Sequence, residues 1–439
     1  MTSKSSTSAL KVFKIVPTTQ QYDWGKIGRE AKVAQFAEAS KLPGFTVDEV
    51  KPYAELWMGT HSSSPSLVKD TGDLLSDHLR KYPDLIGPRI AEKFPDAKNG
   101  ELPFLFKVLS IAKALSIQSH PDKETAKHLH GVSPKIYKDP NHKPEMALAL
   151  TEFEALCGFR PLNDIAANLR ATPELDSLIP STILQAFFAA ASSSSDSSPS
   201  PEQKAALKNL FSALMTAPPS QVHSAIESLV TRYSSSSPSS LADATLHPLI
   251  LKLQSQFPYD VGVLCPFLLN IIHLSPGSAI FLGAGEPHAY ISGEAIECMA
   301  NSDNVIRAGL TPKLRDVENL VKGLTYECGG GERSYVQPKA FTEESSNGSL
   351  LYDPPIEEFS VVKVDLPKGA SELQRAVDGP SVVIITHGSG RIAWVQEGKG
   401  EELETGTGDV LFIGAGTPVS FSTRGKEDGL GAFRAFVEA

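Results

Sequence analysis

Gln118 and His120 stand two residues apart in Leu115-Ser-Ile-Gln-Ser-His-Pro-Asp122, a stretch that reads as a short strand running into a turn at Pro121. Side chains alternate along a strand, so this amide and this imidazole share one face. The pair invites a metal ion, although alone it would also suit a hydrogen-bonded polar strand edge. Two further segments favour the metal. Glu145 closes Asn141-His-Lys-Pro-Glu145, and His288 lies in Gly285-Glu-Pro-His-Ala-Tyr290. Two imidazoles, a carboxylate and an amide oxygen form a mixed nitrogen and oxygen set that zinc accepts, with water or substrate in an open position. A structural zinc normally uses a closed Cys/His set, so a catalytic centre is the better fit. Iron stays open, because two histidines and a carboxylate also form the facial triad of oxygenases.

Downstream of His288, the stretch from Gly293 to Lys313 carries Glu294, Asp303, Arg307 and Lys313. Any one of these alone would be an ordinary solvated charge. Their density so close to a candidate ligand points to the lining of a cleft.

The elements that must position these groups are mainly strands. Val12 to Val16 reads as a first strand, and the turn Gln21 to Gly25 carries Trp24, a candidate lining residue whose other reading is plain packing. Leu74 to Phe94 has helical periodicity, and Pro103 to Leu109 and Ala114 to Ile117 read as strands. Leucine-rich helical periodicity then runs from Leu162 to Phe257, interrupted by two serine-rich tracts, Ser192 to Pro201 and Tyr233 to Ser240, expected to be flexible loops. Strand character returns at Val261. Alternating strands and glycine-rich turns continue to Ala439, in the manner of a β-sandwich. An internal echo runs through this part: Gly277-Ser-Ala-Ile-Phe-Leu-Gly-Ala-Gly-Glu-Pro-His288 matches Gly408-Asp-Val-Leu-Phe-Ile-Gly-Ala-Gly-Thr-Pro-Val419 without a gap. Two related jelly rolls follow from it, the second without a metal, since Val419 stands where His288 stands in the first. The expected organisation is mainly β with a helical insertion: paired jelly-roll barrels, with 1–157 and 262–333 forming the metal-binding part, 158–261 the α-helical insertion, and 334–439 a C-terminal jelly roll.

A chain of 439 residues exceeds one hydrophobic core. Its formal net charge of -10 argues against a nucleic-acid surface, so any anionic ligand must be met by local Lys and Arg. Cys157, Cys265, Cys298 and Cys328 have no paired spacing, as suits reduced thiols. The start has no apolar leader and no later run would span a bilayer, which reads as a cytoplasmic protein without membrane contact.

Tyr137-Lys-Asp-Pro-Asn-His-Lys-Pro-Glu145 and the run from His288 to Lys313 resemble the two signatures of the type I mannose-6-phosphate isomerases. The resemblance extends over essentially the whole chain, the serine-rich tracts apart. It implies a cupin-type, zinc-dependent aldose-ketose isomerase that interconverts mannose 6-phosphate and fructose 6-phosphate and feeds GDP-mannose and glycan synthesis. It places one Zn2+ per chain on Gln118, His120, Glu145 and His288, and gives Arg307 a catalytic role. It also implies roles for Ser116, Lys143, Glu294, Asp303 and Lys313. Chemically, Lys143, Lys313 and Ser116 suit the phosphate, Lys143 also suits proton transfer, and Glu294, Asp303 and Lys143 all qualify as the base. Glu294 ranks first, six residues past His288 on a segment expected to turn back toward the metal. A monomer without protein partners is the expected state. The rival classes are an iron oxygenase, in which Gln118 is a spectator, and a sugar-binding protein on the same barrels, which needs neither Arg307 nor a base.

Overall fold

The computed structural model describes residues 9–42, 44–193, 198–235, 241–341, 348–424 and 429–439. Among the described residues the strands collect into two large antiparallel systems, one of 10 strands and one of 11, and a separate pair, Lys26–Ile27 with Pro52–Tyr53. In the first, the long strand His288–Ala300 runs between Phe104–Ile111 and Glu145–Ala149, and its first residues reach Ile117–Ser119 and Phe153–Phe159. Alternation sorts its side chains. Leu109, Ala147, Ala149 and Ala295 point to one buried cluster inside the first barrel, while Val108, Leu148, Ile296 and Cys298 point to another. The outward set meets Val382, Ile384, Phe412 and Phe433 of the second system, so the two barrels pack face to face through a shared apolar layer.

The strand Val12–Val16 pairs with Val410–Ile413, near the other end of the chain, and so lies in the second system. The echoed segments take the same form in both. Ala279–Leu282 and Val410–Ile413 are strands, each followed by a turn with a left-handed glycine, Gly285 at φ 74° and Gly416 at φ 71°, and His288 and Val419 are the first residues of the next strand.

Between Phe153–Phe159 and Leu269–Leu274 the chain forms the helices Leu162–Ala171, Pro173–Asp176, Ser181–Ser192, Pro201–Met215, Pro219–Ser235 and Leu241–Gln256. Their leucines form one core with Ile117, Leu156 and Phe159 of the first barrel, so the insertion is rooted in the sheet. Of the serine-rich tracts, 194–197 and 236–240 lie outside the described residues. The flanks differ from the loops expected. Ser200 caps the helix Pro201–Met215 in a capping box with Gln203, and Tyr233 to Ser235 remain helical.

Three other expectations change. Leu74 to Phe94 is not one helix but Leu75–Lys81, a 3-10 turn Pro83–Leu85 and a helix Pro88–Lys93, because Pro83 and Pro88 each begin a new element and Gly87 turns the chain at φ 89°. Ala114 to Ser116 is a loop, and the strand begins only at Ile117. Val261–Phe267 forms 3-10 turns, capped by Asp260 and containing Pro266, so strand pairing resumes at Leu269.

The repeated turn gives a paired test of the fold. A Cβ at Gly285 would lie 2.7 Å from the Gly323 carbonyl oxygen, whereas one at Gly416 would meet nothing within 4 Å. Gly416→Ala should therefore cost only the left-handed conformation, about 1 kcal/mol, and Gly285→Ala about 3 kcal/mol with the clash added. Urea melts of the two variants check the order; equal losses would remove the close approach at Gly285 from the account.

Candidate metal centre and active-site cavity

His120, Glu145 and His288 come from three separate strand ends, and their ligand atoms all lie within 4.8 Å of one another. Gln118 completes the set from the neighbouring strand, directly opposite His288, with its amide 3.5 Å from His288 Nε2. A half turn of the amide presents its oxygen at the same place. His120 Nδ1 contacts the Asn304 carbonyl oxygen at 2.7 Å and His288 Nδ1 that of Glu286 at 2.9 Å. Each contact requires the proton on Nδ1, which leaves both Nε2 lone pairs aimed inward.

Both lone pairs meet a carboxylate, and that of His288 also meets the Gln118 amide. His120 Nε2 lies 3.4 Å from Glu145 Oε1, and His288 Nε2 lies 3.4 Å from Glu145 Oε2. His120 Nε2 and Glu145 Oε2 are buried without a hydrogen bond. Burial pushes His120 down to about 4, so it is neutral at ordinary pH. Burial alone would raise Glu145, but the Lys143 ammonium outweighs it and holds this carboxyl well below the usual range. Acceptors turned on acceptors in a dry interior require a cation at their centre, and a divalent ion with nitrogen and oxygen preference fits these donors.

Gln118 and Lys143 also line a cavity of about 700 Å³. Among the described residues six cations, Lys107, Lys113, Lys138, Lys143, Arg307 and Lys313, line it together with the carboxylates of Asp23, Glu55, Asp303 and Asp316. Arg307 lies opposite Gln118 on the strand Ile306–Gly309, and burial lowers its pKa. Lys143 Nζ sits 2.9 Å from Glu145 Oε1. Ser116 lines the wall with its hydroxyl 3.4 Å from Gln118 Oε1, and Lys313 stands exposed at the rim. Trp24 lines the cavity and also packs on the barrel interior, so both readings of it hold. Asp303 lines it too; a hydrogen bond with His61, 3.5 Å away, overcomes partial burial and keeps its carboxyl below the ordinary range.

Glu294 is the exception. The bulge where Phe153–Phe159 meets His288–Ala300, together with Gly293 at φ 111°, reverses which face each later residue takes. Glu294 therefore points away from the cavity. It is 2 % exposed, accepts the Lys32 backbone N–H at 2.7 Å and the Ser110 hydroxyl at 2.9 Å, and lies 3.6 Å from Lys26 Nζ. Lys32 opens the helix Lys32–Ala39, so the carboxylate serves as an anion at a helix N-terminus.

The same reversal turns Glu297 inward. It pairs with Lys107 at 3.2 Å, and Lys107 also lies 3.6 Å from Glu55 and 4.9 Å from the Trp57 ring centre. Neither Lys107 nor Glu297 was singled out by sequence. The available signal was a single charge in Phe104–Ile111, a strand otherwise apolar save for Ser110 and buried throughout.

Three models of the type I phosphomannose isomerases match the chain: the catalytic domain at 12–162, the helical insertion domain at 183–269 and the C-terminal part at 349–394. The mannose-6-phosphate isomerase of Cryptococcus neoformans is 48% identical over 98% of this chain and 99% of its own length. That of Saccharomyces cerevisiae is 46% identical over the same shares. Among solved structures, a zinc-bound mannose 6-phosphate isomerase is 29% identical with a TM-score of 0.75, covering 98% of this chain and 100% of that one. An alanine variant of phosphomannose isomerase from Salmonella typhimurium is 30% identical with a TM-score of 0.76 over the same shares.

With Glu294 facing a helix rather than the cavity, Glu294→Gln should leave turnover of the sugar phosphate within about twofold of the parent while lowering stability by about 1 kcal/mol. Steady-state kinetics and a thermal melt on the same sample check both halves; a large loss of turnover at unchanged stability would return Glu294 to the chemistry.

Proposed function

Because the chain belongs to the type I phosphomannose isomerase family, we propose that it interconverts mannose 6-phosphate and fructose 6-phosphate through an enediol, with one Zn2+ held by Gln118, His120, Glu145 and His288. The carrying observation is the acceptor cluster beside a cavity whose lining holds more cations than carboxylates in a chain of net charge -10, a combination that suits a polyol bearing a dianion. Bound there, the metal supplies Lewis-acid polarisation of a sugar oxygen.

The chain's own residues account for the rest. Arg307, without an ion-pair partner among the described residues, offers fixed positive charge to the oxygen that becomes negative as the proton leaves carbon. The Ser116 hydroxyl and the Lys313 ammonium stand on the cavity wall and rim, where they can grip the phosphate. Lys143 and Asp303 are the remaining candidates for moving the proton between C2 and C1, Asp303 ionised beside His61 and Lys143 beside Glu145. Trp24 packs along one wall and keeps it dry. Lys107, neutralised by Glu55 and Glu297, can still donate to a sugar hydroxyl. The product would supply mannose 6-phosphate for GDP-mannose and for glycan or cell-wall mannan synthesis. We take the enzyme to act as a cytoplasmic monomer; no helix among the described residues is long and apolar enough to cross a membrane.

A coupled assay tests the reading. Turnover of mannose 6-phosphate should vanish after chelation and return with added zinc, and Arg307→Met should lose about a hundredfold or more in kcat with metal content unchanged. Full activity of chelated protein, or return with iron alone, would contradict the proposal.

A further inference from the structure

The second barrel repeats the first around the metal position, strand against strand. His288 lies opposite Gln118, and Val419, its counterpart in the echoed turn, lies opposite Gln374. Leu282 lies opposite Glu145, and its counterpart Ile413 lies opposite Ser381. Met299 also pairs with Glu145, two residues after Glu297; Phe436 pairs with Ser381, two residues after Arg434. The cross-strand neighbour of Glu297 is Lys107, and that of Arg434 is Val362. Gln374, Ser381, Val419 and Arg434 thus hold the places of Gln118, Glu145, His288 and Glu297.

Arg434 is 0 % exposed, on the strand face whose Leu430, Ala432 and Phe436 belong to the apolar interior of that barrel. Its Nη1 donates to Gln374 Oε1 at 2.9 Å and its Nε to Ser381 Oγ at 3.0 Å, while Gln374 donates onward to Ser349 Oγ at 2.9 Å. Nη2 is buried with no hydrogen bond. The carboxylate of Glu438 is taken by Arg375 at 2.5 Å. A buried guanidinium whose hydrogen bonds go to the neutral oxygens of Gln374 and Ser381 carries a large desolvation cost, so its placement calls for a reason.

We infer that Arg434 occupies the metal position of the second barrel as a built-in cation, its guanidinium taking the two oxygens that stand where metal ligands stand in the first. Val419 follows from it as well, because an imidazole lone pair is of use to a metal and an alkyl group merely packs. The second barrel then binds no divalent ion, and Arg434 ties Gln374 and Ser381 across the barrel interior. The inference rests on the first barrel's ligands forming a metal centre.

Restoring the ligands tests it. In the variant combining Ala376→His, Ser381→Glu, Val419→His and Arg434→Ala, with Gln374 kept and Ala376 standing two residues past Gln374 as His120 stands past Gln118, zinc counted by mass spectrometry should rise by one per chain over the parent protein measured beside it. Turnover by the untouched first barrel reports folding. A folded variant with the parent's count overturns the inference, and because the count is a difference it reads separately from whether the parent is loaded. Should the fourfold variant not fold, Arg434→Ala alone decides: its Tm should fall by roughly 5 °C and recover in millimolar methylguanidinium but not in ammonium. A parental Tm, or no selective recovery, overturns it.

Discussion

Two imidazole lone pairs converge on one buried carboxylate at 3.4 Å each, with His120 Nε2 and Glu145 Oε2 left without a hydrogen bond. A divalent cation among them would turn facing acceptors into a mutual attraction. The surrounding structure is built to keep the arrangement in place. Backbone carbonyls of Asn304 and Glu286 fix both imidazole tautomers, and three strand ends that are remote in sequence bring the ligands together. Lys143 sits against the same carboxylate and reaches the cavity, so metal centre and anion pocket share one residue's charge. A cation-rich cavity and a buried acceptor cluster side by side suit a phosphorylated sugar, and membership of the phosphomannose isomerase family agrees with it.

Much of this was legible in the chain because the information is local. Gln118 and His120 report their shared face through strand alternation alone, and the echoed turn around Gly285 and Gly416 shows itself as a gapless repeat. Leucine periodicity marks the helical insertion for the same reason. What failed was non-local or depended on one irregular residue. Counting by twos from His288 puts Glu294 inward, yet the bulge and Gly293 shift the parity, so the chain presents Glu297 instead. Lys107 is hidden in a strand whose other side chains are almost all apolar, and its meaning appears only when Glu297 and Glu55 are placed beside it. Nothing near Val12–Val16 tells that its partner is Val410–Ile413.

The two barrels show how one scaffold serves two ends. Both use a left-handed glycine turn to deliver the first residue of the following strand to the barrel interior, and in both a glutamine lies opposite that residue. In one the delivered residue is a histidine beside a carboxylate; in the other it is a valine beside a serine and an arginine. The shared apolar layer between the barrels, with Ile296 and Cys298 on one side and Ile384 and Phe412 on the other, couples the second barrel's integrity to the first barrel's geometry.

The central claim is a mixed nitrogen and oxygen zinc site made of these four residues, and X-ray absorption at the zinc edge of the purified protein tests it most directly. The account predicts a first shell of nitrogen and oxygen at about 2.0 to 2.1 Å, with imidazole scattering from two histidines and no sulfur. A sulfur shell at about 2.3 Å, or a protein that holds no zinc at all, would contradict it.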